Sequence, residues 1–113
     1  MQSTESLDRT FAALADPTRR KILTRLALGE ATVNDLARPF AISQPAFSRH
    51  IRVLSEAGLI VQRAEGTTRP CRLAPGALSE LDQFLQMLRE ALTRNYQRLD
   101  QLLAKPTKRR RDP

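Results

Sequence analysis

The sequence predicts a mainly α-helical fold, with about five helices and a small two-stranded antiparallel β-hairpin. Apolar residues recur at helical spacing through most of the chain, while a segment near residue 60 alternates apolar and polar residues as a strand does. A length of 113 residues suits one domain with a small core. We expect this domain to cover residues 1–104, and we expect residues 105–113 to form a disordered basic tail because blocks of like charge rarely fold.

Two helices are predicted at the start of the chain. The first carries an apolar stripe formed by Leu7, Phe11 and Leu14. Asp16 suits the N-cap of the second helix, Pro17 suits its first turn, and Gly29 is expected to end it. The basic run at residues 19–21 is expected on a solvated face. The apolar residues of the second helix are expected to face the core: Ile22, Leu23, Leu26 and Leu28.

A second pair of helices is predicted in the middle of the chain. Thr32 and Asp35 have the spacing of a capping box, and Pro39 is expected to end the helix that they begin. After a short linker at residues 40–42, Ser43 suits the cap of the next helix. The apolar positions of that helix, which require burial, are Phe47, Ile51 and Leu54.

A hairpin follows this fourth helix. Its first strand alternates from Leu59 to Arg63, residues 65–68 form a Gly-containing turn, and its second strand runs from Arg69 to Leu73. Two helices joined by a short turn and followed by a hairpin predict a winged helix-turn-helix, in which the second helix enters the major groove of DNA. The alternative is an ordinary helical hairpin with a solvated polar face, and the appended wing weighs against it.

Candidate contacts to double-stranded DNA follow from this placement. Four side chains of the fourth helix, the recognition helix, are expected to contact base edges: Gln44, Ser48, Arg49 and His50. Six residues of the cap, the helix and the wing are expected to contact phosphates or the minor groove: Ser43, Arg52, Arg63, Thr67, Thr68 and Arg69.

The charge of the chain favours a polyanionic partner. The formal net charge is +7 and the isoelectric point is near 11.0. Residues 43–72 contain five arginines and two glutamates, so the predicted domain is basic where the motif lies. Residues 105–113 contain five basic residues and one acidic residue. This tail is either solubilising or an additional phosphate contact.

The last predicted helix, from Ala77 to about Leu103, carries a heptad pattern of leucines. Such a helix is about 40 Å long at 1.5 Å per residue, which exceeds what so small a domain covers. We therefore expect a symmetric homodimer, and the alternative is a stripe that folds back onto its own domain. The expected interface combines this helix with the first one: Leu7, Phe11, Leu14, Leu78, Leu81, Leu85, Leu88, Leu92 and Leu99.

No catalytic motif is legible in the sequence, so we expect neither enzyme activity nor a cofactor. A phosphate-binding glycine loop and the HExxH and GxSxG patterns are missing. Cys71 leaves a thiol redox switch open as an alternative. A single cysteine, no long apolar run and no secretion signal predict a cytoplasmic protein without a membrane partner.

Several segments together resemble the ArsR family of bacterial winged-helix repressors. The resemblance covers about residues 7–90 and rests on LADPTRRKIL, on the capped helix after it, on SQPAFSRHIRVLSEAGLI and on the arginine-flanked wing. It implies a homodimer joined through its first and last helices, a partly palindromic operator and repression of the protein's own operon. It also implies a bacterial, nucleoid-associated location.

Metal sensing is common in that family, through paired cysteines on the helix before the recognition helix or through carboxylate and histidine ligands on the dimer helix. This sequence has Val33, Asn34 and Asp35 at the first place, and its single histidine is His50. One cysteine and one histidine cannot form the thiolate or imidazole sets that such metals need. The resemblance is therefore to metal-independent members, and we expect no metal site.

Two residues depart from the family pattern, namely Phe47, where a smaller branched residue is usual, and Ala41, where a turn glycine is common. The sequence as a whole predicts a dimeric, metal-independent repressor, and it names no effector. The alternatives are a protein-interaction module that uses the leucine-rich last helix and a redox-sensing repressor that uses Cys71.

Overall fold

The computed structural model describes residues 2–111, with side chains for residues 5–104, as five α-helices and three short β-strands. One compact unit ends at Glu80 and a second begins at Leu81. The predicted fold class, mainly helical with a small antiparallel sheet, is confirmed. The elements in chain order are α1 (Gln2–Leu14), α2 (Pro17–Leu26), β1 (Ala31–Thr32), α3 (Val33–Ala37), α4 (Gln44–Glu56), β2 (Ile60–Gln62), β3 (Pro70–Leu73) and α5 (Ser79–Arg111).

Three helices begin at the caps that the sequence predicts. The Asp16 carboxylate accepts a hydrogen bond from the backbone N–H of Arg19 at 3.1 Å, at the start of α2. The hydroxyls of Thr32 and Ser43 accept equivalent bonds at 3.1 and 3.2 Å, at the starts of α3 and α4. Each bond satisfies a backbone donor that has no partner inside the helix.

The end of α2 differs from the prediction. The helix ends at Leu26, three residues before Gly29. The backbone N–H groups of Leu28 and Gly29 then donate to the carbonyls of Arg25 and Leu26, each at 3.0 Å, and the chain tightens into a turn. Leu28 is consequently 84% exposed, so its predicted place in the core is wrong. Gly29 has φ of 138°, a conformation that a side chain would strain.

The sheet has three strands, where the sequence predicts a hairpin of two. Strand β3 lies in the centre and pairs antiparallel with both β2 and β1. The additional strand β1 pairs Ala31 with Cys71 and Thr32 with Pro70. A strand of two residues is too short to show an alternating pattern, so β1 has no signature in the sequence.

The core of the first unit draws on α1, α2, α3, α4 and all three strands. Phe47, the departure from the family pattern, is 2% exposed and packs against Phe40, with ring centroids 5.7 Å apart. The larger ring thus fills the space beside the turn between α3 and α4, and it anchors the inner face of α4. The buried core consists of Ala13, Ile22, Leu26, Ala31, Leu36, Phe47, Ile51, Leu54, Leu59, Ile60 and Cys71.

The last helix, α5, begins two residues later than predicted and extends beyond Leu103 to Arg111. Residues 112–113 and the side chains of residues 105–111 lie outside the described part of the chain, so the disordered tail stays a prediction. No helix in the described residues combines the length and the apolar character needed to cross a membrane.

Candidate nucleic-acid interface

The recognition helix α4 has a buried face and an exposed face. Phe47, Ile51 and Leu54 are buried, and their helical spacing puts Arg49 and Arg52 on the opposite side. All predicted DNA contacts are exposed except His50. The exposed face of α4 therefore presents an amide, a hydroxyl and two guanidinium groups, which are the side chains that read base edges and bind phosphates.

The wing is a tight turn between β2 and β3. The hydroxyl of Thr68 donates to the Glu65 carbonyl at 2.7 Å, and the Thr68 backbone N–H donates to the same oxygen at 3.0 Å. Gly66, with φ of 59°, allows this turn. The Thr68 hydroxyl has one proton, and the Glu65 carbonyl already accepts it. Thr67 and Arg69 are the exposed wing residues whose side-chain donors are not used in this turn.

A cleft separates α4 from the wing, and it brings cations from both together. Arg52 of α4 and Arg69 of the wing both line it, as does the hydroxyl-bearing Ser48. At its edge the amide of Gln62 donates to the hydroxyl of Ser55 at 3.3 Å, which joins β2 to α4. No local sequence signal marks Gln62 or Ser55, because this contact depends on how the hairpin packs.

The Arg63 guanidinium is paired with two carboxylates in the free chain, and its contact to phosphate stays a prediction. Its guanidinium makes a bidentate pair with Glu30 at 2.9 and 3.1 Å and a further pair with Glu65 at 3.3 Å. The hydrogen bond to Glu30 raises the pKa of Arg63, and the same bond holds the pKa of Glu30 below its usual range. Arg63 thus ties the wing to the loop before β1, and two acidic groups compensate its charge.

The His50 ring faces α2 and is largely buried, and its assignment as a base contact stays a prediction. Its side chain is 19% exposed, and Nδ1 lies 3.0 Å from Nη1 of Arg19 and 3.9 Å from Oδ2 of Asp16. At its position on α4 it faces the start of α2. Arg19 was expected on a solvated face, and nothing in the local sequence links it to a residue 31 positions away.

Cys71 lies in the middle of the sheet with no exposed surface. Burial raises the pKa of its thiol, and the thiol donates to the Arg69 carbonyl at 3.6 Å. The thiolate is the form that oxidants attack, so both facts weigh against a redox switch at this residue.

The leucines that predict a dimer lie on α5 and α1. Leu88, Leu92 and Leu99 on α5 are exposed, as is Leu78 before it, whereas Leu81 and Leu85 are half-buried. On α1, Phe11 is exposed, and Leu7 and Leu14 are half-buried. Exposed apolar rows of this kind are typical of an interaction surface.

A helix-turn-helix whose second helix exposes polar and basic side chains, with a basic wing beside it, defines a winged helix-turn-helix DNA-binding protein. The Helix-turn-helix domain family HTH_20 matches residues 14–63 of the chain. The crystal structure of the ArsR family transcriptional regulator RHA00566 matches with a TM-score of 0.76 and 38% identity, over 80% of this chain and 93% of that one.

Two relatives found by sequence are also transcriptional regulators. The HTH-type transcriptional regulator Rv2034 of Mycobacterium tuberculosis is 44% identical over 88 residues, which are 74% of this chain and 82% of that protein. The transcriptional repressor SdpR of Bacillus subtilis is 42% identical over 60 residues, 53% of this chain and 67% of that protein. The chain belongs to the ArsR family and is a DNA-binding transcriptional regulator.

Two further matches bear on assembly and on metals. The winged helix-turn-helix domain Mb0332 of Mycobacterium bovis is described as homodimeric, with a TM-score of 0.62 and 27% identity over 81% of this chain and 85% of that one. The arsenical resistance operon repressor of Staphylococcus xylosus is 31% identical over 86 residues, which are 76% of this chain and 83% of that protein. The family relationship therefore includes regulators named for metalloid resistance.

Proposed function

We propose that this chain is a homodimeric repressor that binds a partly palindromic operator in its own operon and does so without a metal. The observation that carries the proposal is the cleft between α4 and the wing, where Arg52 and Arg69 converge beside Ser48. Two guanidinium groups that line one cleft, one from α4 and one from the wing, can bind neighbouring phosphates of a DNA strand. An ordinary helical hairpin does not require such convergence.

Reading of the operator sequence falls to the first half of α4. Gln44, Ser48 and Arg49 are exposed there, and Arg49 lies opposite the buried face. The guanidinium of an arginine matches the paired acceptors of guanine, and a glutamine amide matches those of adenine. The phosphate contacts that fix the register come from Ser43, Arg52, Thr67 and Arg69.

Dimerisation is supported by the exposed leucines of α5 and by the homodimeric neighbour from Mycobacterium bovis. A two-fold axis gives two recognition helices, and these fit two half-sites about one turn of DNA apart. A partly palindromic operator is the DNA counterpart of that symmetry. Repression is supported by SdpR and by relatives named as operon repressors.

Metal independence is supported by the positions of the single thiol and the single imidazole of the chain. The Cys71 thiol is buried in the sheet, and the His50 ring is held against Arg19. In the residues that the structure describes, no three His, Cys, Asp or Glu side chains are grouped so that they could hold a metal ion. Because the relatives include arsenical resistance repressors, the response of operator binding to metals and arsenite has to be measured.

The test is a selection of DNA by the purified full-length chain from random genomic fragments, followed by a titration of the selected sequence. We expect enrichment of a partly palindromic site upstream of the chain's own gene. Binding to this site should be roughly 10³-fold or more tighter than to random duplex, and it should weaken with salt. No enrichment over random DNA would contradict the proposal and favour a protein-interaction role for the leucine-rich helix.

A further inference from the structure

We propose that Arg19 positions the recognition helix through His50, and that acidification weakens operator binding by breaking this contact. The inference rests on the proposed function in one respect only, which is that operator affinity serves as one of its readouts. Arg19 lies on α2, and its guanidinium contacts two carbonyls of α1 and the ring of His50, so we treat it as a positioning residue.

One guanidinium group joins three helices. Nε of Arg19 donates to the Ala13 carbonyl at 2.9 Å, and Nη2 donates to the Ala12 carbonyl at 3.0 Å, both in the last turn of α1. Nη1 of the same group, on α2, lies 3.0 Å from Nδ1 of His50 on α4. Because the guanidinium is planar and rigid, these contacts fix α4 relative to the end of α1.

The contact with His50 requires a neutral imidazole. Arginine only donates hydrogen bonds, so Nδ1 of His50 has to accept and the ring proton has to lie on Nε2. An imidazolium carries protons on both nitrogens and offers Arg19 no acceptor. Protonation therefore replaces a hydrogen bond with a repulsion between two cations.

A second partner for the protonated ring stands beside the first. Oδ2 of Asp16 is 3.9 Å from Nδ1 of His50. Desolvation raises the pKa of Asp16, but the Arg19 backbone N–H and the charges of His50 and Arg19 outweigh it and the pKa is lowered. Asp16 and Arg19 are the charged groups that contact His50 in the described part of the chain, and α1 contributes only the carbonyls bound by Arg19.

These two partners make His50 a switch between helices. The neutral ring is held by Arg19 and so is tied to α1, whereas the protonated ring is drawn to the Asp16 carboxylate at the start of α2. Histidine changes charge between pH 5 and 8 more readily than any other side chain. His50 is adjacent to Arg49 in the chain, so a shift of the ring from Arg19 towards Asp16 disturbs the placement of a predicted base-reading residue.

The experiment measures operator affinity of the full-length chain from pH 8 to pH 5.5 at constant ionic strength. For the wild type we expect a loss of about fivefold per protomer on acidification, the value of one ordinary hydrogen bond. His50→Leu, which has no acceptor, should bind weakly at every pH. His50→Asn, whose carbonyl oxygen replaces Nδ1 as an acceptor and does not titrate, should restore binding relative to His50→Leu and flatten the pH profile.

The free protein supplies a readout that does not depend on DNA. His50 is the single histidine of the chain, so its ring signals in NMR spectra need no assignment. We expect the Nε2–H tautomer at pH 8, and Arg19→Lys should alter its Nδ1 signal. The midpoint of the ring titration should match the midpoint of the affinity loss.

Two results would overturn the inference: an Nδ1–H tautomer at pH 8, or a His50→Asn variant with the same pH profile as the wild type. If the wild type selects no operator at pH 8, the proposed function fails. The tautomer and the effect of Arg19→Lys still decide whether Arg19 holds His50.

Discussion

Leu92→Asp is the substitution that most directly tests how dimerisation supports DNA binding. Leu92 lies in the middle of the leucine pattern of α5 and is 53% exposed in the single chain. If a second copy covers this face, the substitution puts a carboxylate from each subunit into an apolar seam. We expect the dimer to dissociate and operator affinity to fall with it.

The magnitude follows from the exposed fraction. Full burial of a leucine side chain contributes about 1.5–3 kcal/mol, so covering the exposed half contributes about 0.8–1.5 kcal/mol per subunit. The two subunits of a symmetric dimer together give about 1.5–3 kcal/mol, and Leu92→Ala should weaken dimerisation by roughly 10- to 150-fold. Leu92→Asp adds several kcal/mol for desolvating two unpaired carboxylates, so its dimer should be undetectable at micromolar concentrations.

The assay combines analytical ultracentrifugation and an operator titration on the same samples, with circular dichroism to show that the helices remain. Gln97→Asp is the matched control, because Gln97 is exposed on the opposite side of the heptad and gains the same charge. We expect this control to dimerise and bind as the wild type does. A folded Leu92→Asp chain that is still dimeric, or a monomer that binds the full operator as tightly as the wild type, would refute the reasoning.

Three further predictions concern single side chains and metals. Arg49→Ala should weaken specific binding by roughly 1–3 kcal/mol and relax the preference at one base pair per half-site, while Arg69→Ala should weaken all sequences alike; the reverse pattern in a binding-site selection would exchange their roles. Arg63→Gln should leave the salt dependence of binding unchanged because carboxylates already compensate its charge, whereas Arg69→Gln should reduce the slope by roughly one per half-site. Zinc, cadmium, arsenite or a chelator should not change operator affinity, and a tenfold effect of any of them would show that the chain has a metal site. Cys71→Ser should respond to oxidants as the wild type does.

Features that depend on neighbouring residues were predictable from the sequence. The caps at Asp16, Thr32 and Ser43 each involve a donor three residues further on, so a short window contains the whole interaction. The buried face of α4 was also predictable, because helical spacing alone sets Phe47, Ile51 and Leu54 on one side. The outward placement of most candidate DNA contacts follows from the same periodicity.

Features that depend on distant residues were not predictable. Arg63 pairs with Glu30 across 33 positions, and His50 meets Arg19 across 31, so the local pattern around each showed only a polar residue free to contact DNA. Strand β1 has only two residues, and it forms because their backbone pairs with the free edge of β3. No short sequence pattern indicates such a pairing. Long-range pairing therefore gives two candidate DNA contacts partners within the chain that their local sequence does not indicate.

Footprinting of the wild-type chain on its selected operator tests the central claim most directly. The account predicts two protected major-groove half-sites with centres about 10 base pairs apart, related by a two-fold axis, with additional backbone protection where each wing lies. Footprints of Arg49→Ala complexes should lose protection at one base pair per half-site and keep the backbone protection at the wing. A single unpaired protected segment, or protection that does not depend on sequence, would contradict a symmetric dimer that reads DNA through α4.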